Sequence, residues 1–280
     1  FHDRRQRKQE TKNPKIRPNH VKTGIFAGIL VLLAAWQPGC DMKAAAEERY
    51  NTYVQTIYND GNGLPGGKAN DIAQTKDGIL WVGTYGGLYR YNGSSFRWMN
   101  EYESVKNVNC LYTDEAGRLW IGTNDSGVSI SINEEISNVI DSMHGLPSDS
   151  VRCITENSDG TFYIGTTDAL AVVSLSGGLA VTDMIPEITY ARSLSADQAG
   201  HVAAVTDEGG LYLLRNGEII AQWEKRPMQA AYSCCMFDQS GKLYVGRTDN
   251  VIEVYEPSGK IWKNTQVIKC GSLSLSLIHI

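Results

Sequence analysis

The chain has 280 residues, 28 of them glycine and 9% aromatic, and a formal net charge of −5 at pH 7. Residues 1–22 carry a net charge of +6, so the rest of the chain carries −11. An acidic body argues against a nucleic-acid-binding protein, because binding to phosphates requires a basic face. High glycine and aromatic content with little helical periodicity favours one large all-β domain.

The N-terminal segment has the pattern of an export signal. Its basic start is followed by an uncharged run at 24–36, GIFAGILVLLAAW. This run is shorter than the roughly 20 residues of a membrane span and is typical of a secretory signal. Small residues at 44–46 form a cleavage pattern before Glu47. We therefore predict that residues 1–46 are a signal peptide with a basic start, or alternatively an uncleaved membrane anchor.

A lipid on Cys40 is a third interpretation, which Gln37 disfavours because lipoprotein signals carry an aliphatic residue there. All three interpretations place the following domain on the extracytoplasmic side of the cell membrane.

A repeating unit begins after this segment. Glycines in tight turns recur at intervals of 39, 43, 40 and 41 residues, and we call them the anchor glycines: Gly78, Gly117, Gly160, Gly200 and Gly241. Short alternating strands with an aromatic residue and a second glycine follow them, as in ILWVGT at 79–84 and RLWIGT at 118–123. A period of about 40 residues with several short strands is typical of a β-propeller blade.

The spacing predicts an all-β fold, a β-propeller over residues 47–270. Its five four-stranded blades are expected at about 70–100, 108–140, 151–183, 192–223 and 233–263. The recurring aromatic and glycine residues are interpreted as blade packing. The fourth unit is the most divergent, with Ala203 and Val205 in place of the aromatic residue and the glycine.

The same spacing predicts an incomplete propeller that would have seven or more blades. The segment 50–58 has the pattern of a fourth strand whose blade lies elsewhere, and a sixth anchor glycine is due near residue 282. The chain ends instead in GSLSLSLIHI, whose last six residues resemble a translated sequencing adapter. We interpret 271–280 as a non-native tail, with a natural apolar terminus as the alternative. A fragment of this kind is expected to expose packing surface and to aggregate.

No catalytic motif, metal-ligand spacing or phosphate-binding loop is recognisable, so we expect neither catalytic residues nor a cofactor in this chain. Cys110, Cys153 and Cys234 each lie seven residues before an anchor glycine. Equivalent positions in separate blades seldom come within disulfide distance, so packing explains these cysteines better than bridging does.

Polar loops that follow the second strand of each unit are the candidate ligand-binding residues, because equivalent loops emerge at one rim of a propeller. The alternative is that Asp and Asn simply favour these turns. The candidates are Tyr85, Asn124, Asp125, Asp168, Asp207 and Asp249.

The repeat resembles the two-component regulator propeller repeat. The resemblance rests on DGILWVGTYGGLYRY at 77–91, NSDGTFYIGT at 157–166 and GLP at 63–65 and 145–147, and it extends over about 50–264. It implies the extracytoplasmic ligand sensor of a bacterial membrane signalling protein. A membrane span and a diguanylate cyclase or histidine kinase output would then follow, so the full-length protein would be a signalling enzyme.

The resemblance also implies the partners. We expect an extracytoplasmic small molecule or glycan as the ligand, a homodimer in the full-length protein, and attachment to the membrane at both ends of the propeller, but no nucleic acid. The alternatives are a freestanding exported binding propeller without an output domain, and a propeller enzyme such as a lyase or quinoprotein dehydrogenase.

Overall fold

The computed structural model of the chain describes residues 56–59, 61, 63–64, 68–224, 230–259 and 261–271. The predicted export segment 1–46 and the predicted tail, apart from Gly271, lie outside these residues and stay predictions. Of the predicted strand at 50–58, only 56–58 are described, and they are not in a strand. No helix in the described ranges is long and apolar enough to cross a membrane.

The described residues form twenty strands and two single 3₁₀ turns, at Glu103–Val105 and Ser142–His144. The strands are β1 Ala69–Gln74, β2 Leu80–Thr84, β3 Gly87–Tyr91, β4 Phe96–Trp98, β5 Val108–Thr113, β6 Leu119–Thr123, β7 Val128–Ile132, β8 Glu135–Ile140, β9 Val151–Glu156, β10 Phe162–Thr166, β11 Leu170–Ser174, β12 Ala180–Ile185, β13 Ala191–Ala196, β14 His201–Thr206, β15 Leu211–Arg215, β16 Glu218–Trp223, β17 Tyr232–Phe237, β18 Leu243–Arg247, β19 Val251–Ser258 and β20 Ile261–Lys269.

Every four consecutive strands form one antiparallel sheet in which the strands lie in chain order. We number these five sheets as blades 1 to 5, so that β1–β4 form blade 1 and β17–β20 form blade 5. The prediction of an all-β chain with five four-stranded blades is confirmed. Each blade is local in sequence because tight turns join its strands.

The hydrophobic cores lie between successive blades, which pack against each other mainly through their first strands. Trp120 of blade 2 is fully buried and stacks on Phe162 of blade 3, with ring centroids 4.0 Å apart. Tyr163 in turn packs in one cluster with Val202 of blade 4. The aromatic residue of the repeat therefore serves packing between blades, as predicted, although Tyr244 of blade 5 is only half-buried.

Two kinds of glycine recur for two different physical reasons. The anchor glycines have φ between 80° and 85°, the left-handed region that favours glycine in turns. The glycine near the end of the second strand instead makes room for the next blade. A Cβ atom on Gly165 would lie 2.8 Å from the Cβ of Ala191, which begins the first strand of blade 4. Gly83 and Gly122 are crowded in the same way by Val108 and Val151.

The cysteines of the repeat face these crowded glycines. Cys110, Cys153 and Cys234 pair across the sheet with Gly122, Gly165 and Gly246 respectively. Each sulfur atom fills the space that a side chain on the glycine would occupy. The five cysteines within the described ranges are all free thiols.

Burial is expected to make the inner thiols slow to react. Loss of solvent raises the pKa of Cys235 to about 12 and raises the pKa of Cys153 further. Because the thiolate is the nucleophile, we expect iodoacetamide at pH 8 to label Cys153 and Cys235 at least about tenfold more slowly in the folded chain than in urea. Mass spectrometry of tryptic peptides measures both rates, with half-buried Cys270 as an internal comparison. Equal labelling rates in the two conditions would contradict this expectation.

Candidate ligand-binding rim

A β-bulge recurs near the start of the first strand in every blade. The pairing between first and second strands skips one residue there, for example between Val108 and Cys110. A bulge leaves the skipped residue unpaired and re-aims its side chain. The skipped residues, which we call the bulge residues, are all polar: Asn70, Asn109, Arg152, Arg192 and Ser233.

The bulges lie at the same end of the blades as the loops between the second and third strands. In blades 2 and 4 the backbone amide of the loop donates to the carbonyl just before the first strand, from Asn124 to Asn107 and from Asp207 to Tyr190, both at 3.0 Å. We refer to these loops and the bulge residues together as the rim. The fold therefore collects polar side chains from several blades on one edge.

In blades 1 and 2 the bulge residue ties its blade to the next one. The amide of Asn70 donates to the carbonyl of Val108 at 2.7 Å, and that of Asn109 donates to the carbonyl of Val151 at 2.9 Å. The predicted residue Asn124 joins this group, because its side-chain oxygen accepts from Ser150 at 3.2 Å and lies 3.4 Å from the Asn109 amide. These asparagines are uncharged, and they are hydrogen-bonded across the blade boundary.

In blades 3 and 4 two arginines converge on the predicted residue Asp207. Nη2 of Arg152 lies 3.2 Å from Oδ2 of Asp207, and Nε of Arg192 lies 3.5 Å from Oδ1. The side chains of Arg152, Arg192 and Asp207 are 35%, 42% and 36% exposed, so water and solutes reach them. A guanidinium has five N–H donors in a fork that matches carboxylate, sulfate or phosphate oxygens. Counted by themselves, these three side chains carry one positive charge in excess, which suits an anionic group, while Asp168 and Glu208 of the same loops are acidic.

The other predicted candidates lie in the same loops but bind only local partners. Asp125 accepts from Asn107 at 3.1 Å, Asp168 accepts from the neighbouring threonine at 2.9 Å, and Asp249 pairs with Arg247 at 2.6 Å. Tyr85 is 65% exposed. Of the six candidates, the structure brings Asn124 and Asp207 to bulge residues and leaves the other four apart from them.

Reasoning from sequence missed the bulge residues, although a signal was available. Each lies eight residues before an anchor glycine, and each is polar and follows an apolar residue at the start of its strand. Regular alternation does not reveal a bulge, because the skipped residue changes the face on which its neighbours lie. The described ranges contain no group of three or more side chains that could hold a metal ion.

Comparison with known proteins agrees with this repeat architecture. Residues 63–86, 102–125 and 145–168 match the two component regulator propeller family. A relative named histidine kinase P4, from Formosa agariphila, is 28% identical over 139 residues, which cover 44% of this chain and 10% of that protein. The chain thus spans about a tenth of the length of this kinase.

Solved structures share the propeller fold. The extracellular domain of a hybrid two component system from B. thetaiotaomicron superposes with a TM-score of 0.59 at 18% identity, covering 73% of this chain and 28% of that one. Virginiamycin B lyase from Staphylococcus aureus, solved with quinupristin, gives a TM-score of 0.57 at 12% identity, covering 72% and 70% of the two chains. At these identities the likeness establishes the fold alone, which is a β-propeller.

Proposed function

We propose that the propeller is the extracytoplasmic, ligand-sensing region of a transmembrane signal-transduction protein whose output is a histidine kinase or a diguanylate cyclase. The observation that carries this proposal is the match of three successive repeats to the two component regulator propeller family. The kinase relative favours the histidine kinase output of the two. The export pattern at 1–46 supports an extracytoplasmic position.

The rim is the surface that we assign to ligand binding. Asn109, Arg152 and Arg192 come from blades 2, 3 and 4, so one bound molecule with an acidic group would contact three blades. A small molecule or glycan carrying a carboxylate or sulfate fits the arginine pair. Because the Asn109 amide also bonds to blade 3, a ligand at the rim would compete with contacts between blades. Binding could then favour one arrangement of the blades, which is what a sensor requires.

Export is tested with an alkaline phosphatase reporter fused after Lys269 and expressed in a Gram-negative host. We expect phosphatase activity with residues 1–46 present, a new N-terminus near Glu47, and loss of activity when Leu30 and Leu32 are both changed to Lys. Such charges disrupt the apolar run that the export machinery recognises. The control variant is Gln9→Lys with Thr11→Lys, which adds the same two charges outside the apolar run. Absence of phosphatase activity with residues 1–46 intact would contradict extracytoplasmic placement, and activity retained in the Leu30→Lys, Leu32→Lys variant would show that the apolar run is not the export signal.

Ligand binding is tested by thermal shift of the 280-residue chain against uronates, sulfated sugars and neutral sugars. An acidic hit should lose at least about tenfold in affinity in the Arg152→Gln, Arg192→Gln variant, because charge-assisted hydrogen bonds disappear. Arg97→Gln is the matched control, since Arg97 lies on the outer strand of blade 1 and pairs with Glu101, which follows that strand. A compound that binds the unchanged chain and both variants with equal affinity does not bind at the rim.

The sequence of the intact gene distinguishes the sensor from a freestanding binding propeller. An apolar run of about 20 residues followed by an output domain beyond Cys270 is expected for the sensor.

A further inference from the structure

A cavity of about 650 Å³ lies between the outer strand of blade 4 and the face of blade 5. Trp223 and Glu224 border it from blade 4, and Tyr232, Glu253 and Tyr255 border it from blade 5. Its volume is within the range of small-molecule sites in proteins. None of its lining residues is a bulge residue or one of the six predicted candidates, although the rim residue Asp249 adjoins it through Arg247, which pairs with both Asp249 and Glu253.

The cavity lies where the repeat departs from its own pattern. Val205 replaces the crowded glycine of blade 4, and the next blade begins with Tyr232 instead of a valine or alanine. The hydroxyl of Tyr232 bonds within its own blade, at 3.1 Å from the hydroxyl of Tyr255. Departures from an otherwise consistent pattern are expected at functional sites. This junction is therefore the place to look for a specific ligand.

A buried carboxylate organises the wall of the cavity. Glu253 is 6% exposed. Its Oε1 accepts from Arg247 at 2.7 Å, and its Oε2 accepts from Tyr255 at 2.6 Å. The Tyr232 hydroxyl lies 3.3 Å from Oε2. Burial raises the pKa of both phenols, and the hydrogen bond to Glu253 raises that of Tyr255 further, so both keep their protons at pH 7.

Each phenol has one hydroxyl proton, and that proton is donated in the hydrogen bonds with Glu253 and the other tyrosine. Their oxygen atoms therefore keep acceptor lone pairs at the cavity wall, beside the carboxylate. The charged residues that line the cavity are Glu224 and Glu253. Arg247 binds Glu253 and also pairs with Asp249, so these four groups together carry a net charge of −2. Such a wall calls for a ligand that carries donors and positive charge.

Aromatic rings complete the site. The rings of Trp223 and Tyr255 have centroids 5.0 Å apart and are inclined at 56°, so they form a corner that borders the cavity. Aromatic faces attract cations, most strongly where water is partly excluded. We propose that this cavity binds a small organic cation with N–H donors, a primary ammonium or guanidinium, between the aromatic corner and the Glu253–tyrosine group. Its use as a signalling input rests on the proposed function, whereas binding itself does not.

The proposal is tested by calorimetry on the 280-residue chain, with putrescine and agmatine as probes. 1,4-Butanediol is the matched neutral probe, because it replaces both ammonium groups of putrescine by hydroxyls. We expect saturable binding of putrescine or agmatine, at least about tenfold tighter than the diol. Equal affinity for the diol, or binding of glucose in preference to the amines, would overturn the proposal in favour of a neutral-sugar site.

Variants locate the probe. Glu253→Gln should weaken amine binding about tenfold or more, because it removes the buried charge. Glu256→Gln is the matched control on the same strand, since Glu256 pairs with Lys242 at 3.0 Å and does not line the cavity. Its affinity should equal that of the unchanged chain. Equal weakening by both variants would show only a general charge effect and would overturn the assignment.

A second variant tests the aromatic wall without changing any charge, and the folding of both variants is checked separately. Trp223→Leu leaves all charges in place and removes one wall of the aromatic corner, so it should also weaken amine binding at least about fivefold. Circular dichroism and thermal melting confirm that each variant is folded before binding is compared. Absence of saturable amine binding up to about 10 mM would overturn the proposal and would leave the export result and the rim test unaffected.

Discussion

Replacing Asp114 by Ala is expected to lower the free energy of unfolding by about 3 kcal/mol, because it leaves buried donors without a partner. The Asp114 side chain is fully buried at the turn between β5 and β6. One oxygen accepts from the backbone amide of Arg118 at 2.8 Å. The other accepts from Nε of Arg118 at 2.5 Å and from the indole N–H of Trp120 at 2.8 Å. The carboxylate thus links the turn, an arginine and the central tryptophan of the core between blades 2 and 3.

Urea denaturation followed by circular dichroism measures the loss. Glu115→Ala removes the same charge from the exposed neighbouring position and should change stability by less than about 0.5 kcal/mol. Asp114→Asn keeps one acceptor and should fall between the two. If Asp114→Ala and Glu115→Ala melt at the same urea concentration, the buried carboxylate is not the support of Trp120 that the geometry indicates.

Gly122→Val is expected to cost about 3 kcal/mol or more, because no space exists for its side chain. A Cβ atom on Gly122 would collide with the sulfur of Cys110 across the sheet and would lie 2.7 Å from a methyl group of Val151 in the next blade. Gly117→Ala is the control. Its φ of 85° strains an alanine by about 1 kcal/mol, but the nearest atoms belong to the flexible side chain of Lys76.

A double variant separates crowding from backbone strain. Gly122 lies in a regular strand, so replacing Cys110 by Ala should recover part of the loss caused by Gly122→Ala. Blade 4 supports this expectation, because Val205 stands at the equivalent position opposite Ser193, a residue smaller than cysteine. If the loss in the double variant equals the sum of the losses in the two single variants, the collision with Cys110 is not the cause.

The repeated part of the fold was predictable because each repeated residue has one local physical task. The anchor glycines need a left-handed turn, and Trp120 must fill the space between two blades. Both requirements recur at the sequence period, so they are visible without coordinates. The bulge residues recur at the same period, but the bulges themselves were not predictable in this way, because a skipped residue is defined by the strand pairing of its neighbours and not by its own side chain.

The candidate sites show the same difference between residues that repeat in the sequence and residues that do not. Asn124 and Asp207 were predicted because polar loops repeat, but their partners Asn109 and Arg152 were not. The cavity was missed entirely. Tyr232, Glu253 and Tyr255 belong to two strands of a single blade, so no repeat and no short motif connects them, and only the packing of blade 4 against blade 5 closes the space around them.

If the rim binds the ligand, as we propose, the bulge residues limit how this propeller can change that ligand over evolutionary time. Asn70 and Asn109 each hold the neighbouring blade by its backbone, so exchanging either one would alter recognition and assembly together. Arg152 and Arg192 bind the side chain of Asp207 instead, which a compensating exchange at that single position could accommodate. Diversification among relatives should therefore concentrate in blades 3 and 4, while the asparagine side of the rim should drift slowly.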